Sequence, residues 1–364
     1  MTRLALNAQR PTILVTGISG NLGRRLIPLL SDYEIVGVDL APVTGHPEIA
    51  IHPLDLATES SCIQLVKLLR ECGAATVVHL AFMMNSAPED LSDHGRMWQT
   101  NVAGTARVME AIAEVNRHGG TVHKFICPSS AAVYGADTAP FVDEDAPMAS
   151  HTVRYALQKS EADEVVRFRA SAIGRCTTYL LRPHILTGAD VENCVVSAIR
   201  GRAYGNGSLG NRYRQKQKKL PLLLPMGESY LQKHLQFVHV DDMARLVHWL
   251  LQKGPAREGE ALVLNVAGSG APLSISRCAE VAQMRIKRLP TSWLCSKVMR
   301  LMWKWGISTV PAEALPYITG SCTTSTERLR ELLGQDYGKV IRYSTEEALK
   351  DCVAENTGSS AASA

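Results

Sequence analysis

Short β-branched runs alternate with longer stretches of helical period along most of the chain, and this alternation limits the fold more than any other feature of the sequence. "TILVT" (12–16), "EIVGVD" (34–39), "TVVHLA" (76–81), "KFICPS" (124–129), "TYLLRP" (178–183) and "ALVLNV" (261–266) are near-continuous apolar runs. Strands of that kind belong to a parallel sheet covered on both faces. Between them lie amphipathic segments, "MWQTNVAGTARVMEAIAEV" (97–115) and "YALQKSEADEVVRFRA" (155–170), which suit crossover helices. The pattern predicts an α/β protein built on a doubly wound parallel sheet. After Pro183 the alternation breaks into glycine-rich, basic and proline-rich segments, so a smaller and less regular lobe is expected there.

Composition sets outer bounds. With 364 residues, 46% of them hydrophobic and 20% charged, the chain can bury a sizeable core. A net charge of +4 gives no global field for nucleic acid. Nine cysteines, an odd number without a CxxC pair, read as the reduced thiols of a cytoplasmic protein rather than a disulfide framework or a zinc site. The opening "MTRLALNAQRP" lacks the apolar core of a signal peptide, and no run of about 18 uncharged apolar residues follows. A soluble, cytoplasmic protein is expected, with residues 356–364 as a disordered tail.

The first strand runs straight into "VTGISGNLGRRL", which spaces Gly17, Gly20 and Gly23 as GxxGxxG before a helix. Such a turn lets backbone N–H groups approach a pyrophosphate at the positive end of the helix dipole. Glycines at a strand-helix junction also serve packing alone. Asp39, closing the second strand, is placed to accept hydrogen bonds from adenosine ribose hydroxyls. Its charge would repel a 2′-phosphate, and no arginine stands beside it, so NAD is favoured over NADP.

Tyr155 and Lys159 in "YALQK" share a helix face. An ammonium near a phenol draws the phenol's pKa from about 10 toward neutrality, making tyrosine usable as an acid or base. Ser130, after the strand "KFICPS", can bond the substrate oxygen that Tyr155 protonates or deprotonates.

These motifs, with "DL" at Asp55 and Leu56, "VVHLA", "TNVAGT" around Asn101, "PSSAAVYG" and "FVHVDDMA", follow one order and spacing. From about Thr12 to Gly268 the chain resembles the extended short-chain dehydrogenase/reductase family, which includes the NAD-dependent epimerases and dehydratases. The resemblance implies a Rossmann domain over 1–185, with 236–268 returning to it, and a substrate lobe from 186–235 and 269–355. It implies Ser130, Tyr155 and Lys159 as catalytic residues. It also implies a cofactor groove of Gly17, Ser19, Gly20, Asn21, Leu22, Gly23, Asp39, Asp55, Leu56, Ala81, Asn101, Ser129, Tyr155, Lys159 and Pro183. Asn101 is either part of a proton path toward Lys159 or a polar helix residue bonded to nearby backbone. A homodimer through 97–115 and 155–170 is suggested as well.

Departures from the family narrow the reaction. The dehydratase branch carries an Asp-Glu pair where this chain has Ala131 and Ala132, which removes the acid and base of an elimination. Ile185 stands where nucleotide-sugar epimerases carry an asparagine, and Leu235 where they carry an arginine. A later arginine finds no counterpart in "GISTVPAEALPY". Loss of two guanidinium clamps weakens the case for a UDP-sugar. The expected activity is therefore hydride transfer at a secondary alcohol or ketone carbon of a small-molecule substrate. The alternatives are a nucleotide-sugar epimerase with retained NAD and a non-catalytic NAD-binding sensor.

Other motifs have two readings each. The run from Arg200 to Lys219 carries seven cations (Arg200, Arg202, Arg212, Arg214, Lys216, Lys218, Lys219) and no acid. It reads as a solvated flexible loop or as a lid for an anionic group. In "TSWLCSKVMRLMWKWGI" (291–307) the stripe Leu294, Val298, Leu301, Met302 and Trp305 reads preferentially as the packed face of a lobe helix, and otherwise as an interfacial helix on anionic lipid. His184 reads as a backbone-facing neighbour of the site. His239, Asp241 and Asp242 read as a capped helix start rather than a metal site.

Overall fold

The computed structural model describes residues 10–84 and 91–354; the expected tail lies outside them. Seven strands, β1 (Thr12–Thr16), β2 (Glu34–Val38), β3 (Ala50–His52), β4 (Thr76–His79), β5 (Lys124–Pro128), β6 (Thr177–Pro183) and β7 (Ala261–Val266), form one sheet. Their order is β3-β2-β1-β4-β5-β6-β7, and every neighbouring pair is parallel. The six apolar runs read from the sequence are six of these strands. The seventh, β3, was not expected, because it is a three-residue edge strand with two exposed residues and no apolar run.

Helices cover both faces, as an all-parallel sheet requires. They include α1 (Asn21–Leu26), α2 (Ser61–Cys72), α3 (Gly104–Arg117), α4 (Arg154–Arg169) and α5 (Val240–Lys253). Strand periodicity divides the core into two layers. Ile13, Val15, Leu181 and Leu264 pack on one side with α5 residues such as Leu246, while Leu14, Val77, Phe125 and Leu180 pack on the other with α2 and α3. The segment expected as one helix from Met97 is interrupted: a helix at Leu91–Trp98 widens into a π turn at Gln99–Ala103 before α3 begins. Such widened turns recur at functional sites.

Beyond β6 the chain forms three two-stranded ladders apart from the main sheet. Ile185–Thr187 pairs with Phe237–His239, His234–Leu235 with Leu273–Ser274, and Leu222–Pro225 with Ile286–Leu289. The helix α6 (Ser292–Lys304) lays Cys295, Val298, Met299 and Met302 on an apolar cluster with Ala203, Leu223, Val310 and Leu315. Its packed face is therefore rotated from the expected stripe, and Leu301 and Trp305 are exposed. The basic segment is not a plain loop either. It contains a helix, Ser208–Gln215, held by Gly205 and Gly207, whose N–H groups donate to Ile307 O at 3.0 Å and Gly306 O at 2.8 Å.

Candidate active site

The strand order reverses between β1 and β4, and a crevice opens beyond their carboxyl ends, the place where open α/β sheets bind ligands. The glycine loop forms its floor. Gly17 has φ +69°, and a Cβ there would lie 2.5 Å from the Ala81 nitrogen. At Gly23 a Cβ would lie 2.2 Å from Ile18 O, so this glycine lets α1 sit close to the strand end. Packing explains both. Gly20 is less confined, since a Cβ there would meet Gly17 O at 3.2 Å, a tight contact but not a clash. Gly20 is also the N-cap of α1 without a side-chain cap, followed by Asn21 and Leu22 with no acid in the first turn. Asp39 stands beside the loop, accepting from Ser19 N at 2.9 Å, Ser19 Oγ at 2.7 Å and Ala41 N at 3.2 Å. A cradle open at one glycine, with a fixed carboxylate at its edge, fits a dinucleotide whose ribose hydroxyls meet Asp39.

Behind the cradle runs a chain of oriented hydrogen bonds that sequence reasoning did not find. Thr105 Oγ1 donates to Asn101 O at 2.7 Å, so it accepts from His79 Nε2 at 2.9 Å. His79 Nδ1 then accepts from Thr16 Oγ1 at 2.7 Å, and Thr16 Oγ1 accepts from Ala81 N at 3.4 Å. Burial, with the nearby Lys159 charge, lowers His79 to about 3, so the ring is neutral and ties β4 to Thr16 of β1 and Thr105 of α3. The side chain of Asn101 is occupied in the same way. It accepts from Met83 N at 2.7 Å and donates to Met83 O at 2.9 Å and Gln158 Oε1 at 2.7 Å.

Leu22, Ala81, Ser129 and Lys159 line one cavity of about 90 Å³ with Phe82 and His79. Asp55 and Leu56 lie farther along: Asp55 accepts from Ala57 N at 2.9 Å and pairs with Arg96 at 2.9 Å, while Leu56 is buried against α3. Pro183 ends β6 beside Val266 of β7.

Ser130 follows the lining residue Ser129, and its Oγ accepts from Ala132 N at 3.2 Å, while Tyr155 meets the ring of the lining residue Phe82. Lys159 lies one turn along α4 from Tyr155. Its Nζ donates to Pro128 O at 2.9 Å and lies 3.7 Å from the centroid of the Phe82 ring, whose edge meets Tyr155 at a centroid distance of 5.6 Å. Burial pushes the Tyr155 phenol above its usual value, opposed by the neighbouring Ser130 hydroxyl. Burial also brings Lys159 down to about 8. Phe82, one residue past "VVHLA", gave no sequence signal.

A second unforeseen element lies under the trio. Arg182 and Asp163 are both fully buried and form a two-point ion pair, Nε to Oδ2 at 2.9 Å and Nη2 to Oδ1 at 2.8 Å. Asp163 also accepts from Ser129 Oγ at 2.7 Å, and Arg182 donates to Tyr134 Oη at 2.8 Å and Glu144 O at 3.0 Å. Tyr134 donates in turn to Asn265 Oδ1 at 2.7 Å. The strand ends of β5, β6 and β7 are thereby tied to α4, one turn below Lys159. An arginine inside the apolar run "TYLLRP" was the available signal, since a buried charge requires a partner.

On the substrate side, Ile185 and Leu235 pack against one apolar cluster with Ile199, Phe237 and Leu273. His184 donates from Nε2 to Cys322 O at 2.6 Å, and burial lowers it to about 4. His239 caps α5 by accepting from Asp241 N at 3.1 Å, and Asp242 accepts from Arg342 N and Tyr343 N at 3.1 Å each. Arg200 is spent on the carbonyls of Gly188, Ala189, Val191 and Cys352. Among the described residues no group of three His, Cys, Asp or Glu side chains is placed to share a metal ion.

A UDP-glucose 4-epimerase of Azospirillum brasilense is 26% identical over 186 residues, 50% of this chain and 51% of its own, so the chain spans about half the length of that curated relative. The UDP-Glc/GlcNAc 4-epimerase of Campylobacter jejuni superposes with a TM-score of 0.65 at 18% identity, covering 94% of this chain and 98% of its own. The Bordetella bronchiseptica enzyme WbmH, solved with NAD+, gives 0.64 at 16% identity over 96% and 99%. These structures share the fold. The family described as NAD-dependent epimerase/dehydratase matches residues 13–267, from the first strand through the end of β7. With that match laid over the glycine cradle and the tyrosine-lysine helix, the chain belongs to the NAD-dependent epimerase/dehydratase family.

Proposed function

We propose that the protein is an NAD-dependent oxidoreductase that moves hydride to or from a secondary alcohol or ketone carbon, with Tyr155 as the proton carrier. The observation that carries this reading is the packing of Tyr155 on Phe82 in the wall of the cavity that Lys159 lines, with Ser130 next to the lining residue Ser129. Gly17, Ser19, Gly20, Asn21, Leu22 and Gly23 would cradle the pyrophosphate and Asp39 the adenosine ribose. Asp55, Leu56, Ala81, Asn101, Ser129 and Pro183 complete the groove. When bound, NAD supplies the hydride acceptor or donor. Ser130 holds the substrate oxygen. In reduction, Tyr155 gives its proton to that oxygen, a direction favoured by the raised phenol pKa. In oxidation, Tyr155 must first lose that proton, and a positive charge brought close to the ring supports the phenolate. Lys159 serves as that charge and as the nicotinamide ribose anchor once its Nζ leaves the Pro128 carbonyl.

Residues 186–235 and 269–355 are taken as the substrate lobe. Ile185 and Leu235, joined in one apolar cluster, favour a substrate with apolar surface over a pyrophosphate held by guanidinium groups. The reading places a homodimer, paired through α3 and α4, in the cytoplasm; all nine cysteines are free thiols. A second reading, nucleotide-sugar epimerisation at the same trio, draws support from the similarity to the Azospirillum enzyme. The two differ in cofactor balance. Incubation of the NAD-loaded protein with secondary alcohols, sterols and UDP-sugars, followed at the NADH absorbance, should give net NADH with an alcohol. Interconversion of a UDP-sugar with no net NADH would replace the first reading by the second.

A further inference from the structure

Two windows of the chain contain no acidic residue. Residues 193–227 hold seven cations and residues 281–312 hold six (Arg285, Lys287, Arg288, Lys297, Arg300, Lys304). The whole chain carries only +4, so everything outside these windows sums to −9. The fold packs the two together. Leu222–Pro225 pairs in parallel with Ile286–Leu289, and Gly205 and Gly207 donate their N–H groups to Ile307 O and Gly306 O just past the end of α6. Some of the cations are used internally: Arg200 and Lys219 bond backbone carbonyls, Arg214 bonds carbonyls and Asn211 Oδ1, and Arg288 pairs with Glu228 at 2.7 Å. Arg202, Arg212, Lys216, Lys218, Arg300 and Lys304 are exposed, with no side-chain partner among the described residues. Like charges crowded in this way repel each other unless an anionic partner faces them.

The exposed face of α6 indicates which partner. Trp293 (64% exposed), Lys297, Arg300, Leu301, Lys304 and then Trp305 (60% exposed) follow one side of the helix and its end. The Lys297 ammonium sits 3.9 Å from the centroid of the Trp293 ring. Helical rise puts an indole at each end of this face with cations between them. Indoles favour the boundary between headgroups and acyl chains, and lysines there reach phosphate while their stems stay apolar. The inner face, Cys295, Val298, Met299 and Met302, is already buried in the protein, so the outer one is free for a surface. α6 is too short to cross a bilayer and can lie flat on it.

We propose that this face docks the protein peripherally on an anionic phospholipid bilayer, with Trp293, Leu301 and Trp305 at the interface and the cations of both windows on lipid phosphates. The cluster beneath α6 also takes in Val153, the N-cap of α4, so the docked face lies one apolar layer from Tyr155. The proposal does not depend on which reaction the site performs.

Flotation of the full-length protein with vesicles tests it. Vesicles of equal parts phosphatidylcholine and phosphatidylglycerol should carry the protein at low salt, with a blue shift in tryptophan emission, and release it at high salt. Vesicles of phosphatidylcholine alone should not carry it. Combined Lys297→Glu, Arg300→Glu and Lys304→Glu should lower the anionic partition by at least about 100-fold, since losing each basic group near such a surface alone costs about fivefold. The pair Trp293→Ala and Trp305→Ala should remove the blue shift, with an unchanged thermal melt confirming the fold of both variants. Equal binding to neutral vesicles, or an unchanged partition after charge reversal, overturns the proposal. So does retention of the blue shift in the tryptophan variant, or capture by duplex DNA without vesicle binding.

Discussion

The crevice at the ends of β1 and β4 and the outer face of α6 use charge in opposite ways. In the crevice the buried charges are held by named partners: Arg182 by Asp163, and Lys159 by Pro128 O and the Phe82 ring. On α6 the cations face water, and the neighbouring basic window adds more of the same sign. A group taken from water must be compensated where it lies, so the crevice is rigid and sensitive to single changes. A group left in water costs little until a partner arrives, so the outer face should tolerate change in the isolated protein.

Arg182 offers the sharpest contrast. Arg182→Leu leaves Asp163 buried without its partner and should cost about 3 to 5 kcal/mol in chemical denaturation, whereas adding Asp163→Leu should recover much of that loss. A single variant as stable as wild type would break the comparison. Acid should expose the neutral histidine next. His79 is held at about 3, against about 6.5 in the unfolded chain, so below pH 6.5 the unfolded chain binds a proton that the folded one refuses. Stability is full above pH 6.5 and falls as pH drops toward 3, by about 5 kcal/mol at most for a shift of that size. His79→Gln should flatten the profile, which melts recorded across the range would show.

The glycines separate packing from binding. Gly17→Ala meets both a positive φ and backbone at 2.5 Å, and should destabilise the fold by roughly 2 kcal/mol or more. Gly20→Ala, which meets only Gly17 O at 3.2 Å, should fold nearly as well and weaken NAD binding in calorimetry. The smallest effect belongs to the outer face. Arg212→Glu and Lys216→Glu should each leave stability within about 0.5 kcal/mol of wild type. A larger loss would mean that these cations have structural partners after all.

How legible each region was follows from the same physics. Continuous apolar runs define β1, β2 and β4 to β7, because a doubly covered parallel strand has no polar alternation to confuse it. The edge strand β3 lacks that signature. Glycine spacing and Asp39 marked the cradle, since local backbone geometry demands particular residues at fixed offsets. The Thr16–His79–Thr105 chain, the Phe82 ring and the Arg182–Asp163 pair were hidden, because each joins residues far apart in sequence. The proximity of Tyr155 and Lys159 on α4 was readable, but not the Phe82 ring that both side chains meet. On α6 the period was readable, and the choice of inward face was not: Cys295 and Met299 take the buried positions that the stripe had given to Leu301 and Trp305.

The central claim is that Tyr155 carries the proton in this crevice, and one comparison addresses it. Wild type and Tyr155→Phe, each shown by calorimetry to bind NAD, are assayed for NADH-linked or cofactor-neutral turnover on whichever alcohol, ketone or UDP-sugar the wild type accepts. The account predicts intact NAD binding and a rate lowered by about 10²- to 10⁴-fold in the variant. Equal turnover by Tyr155→Phe would contradict it.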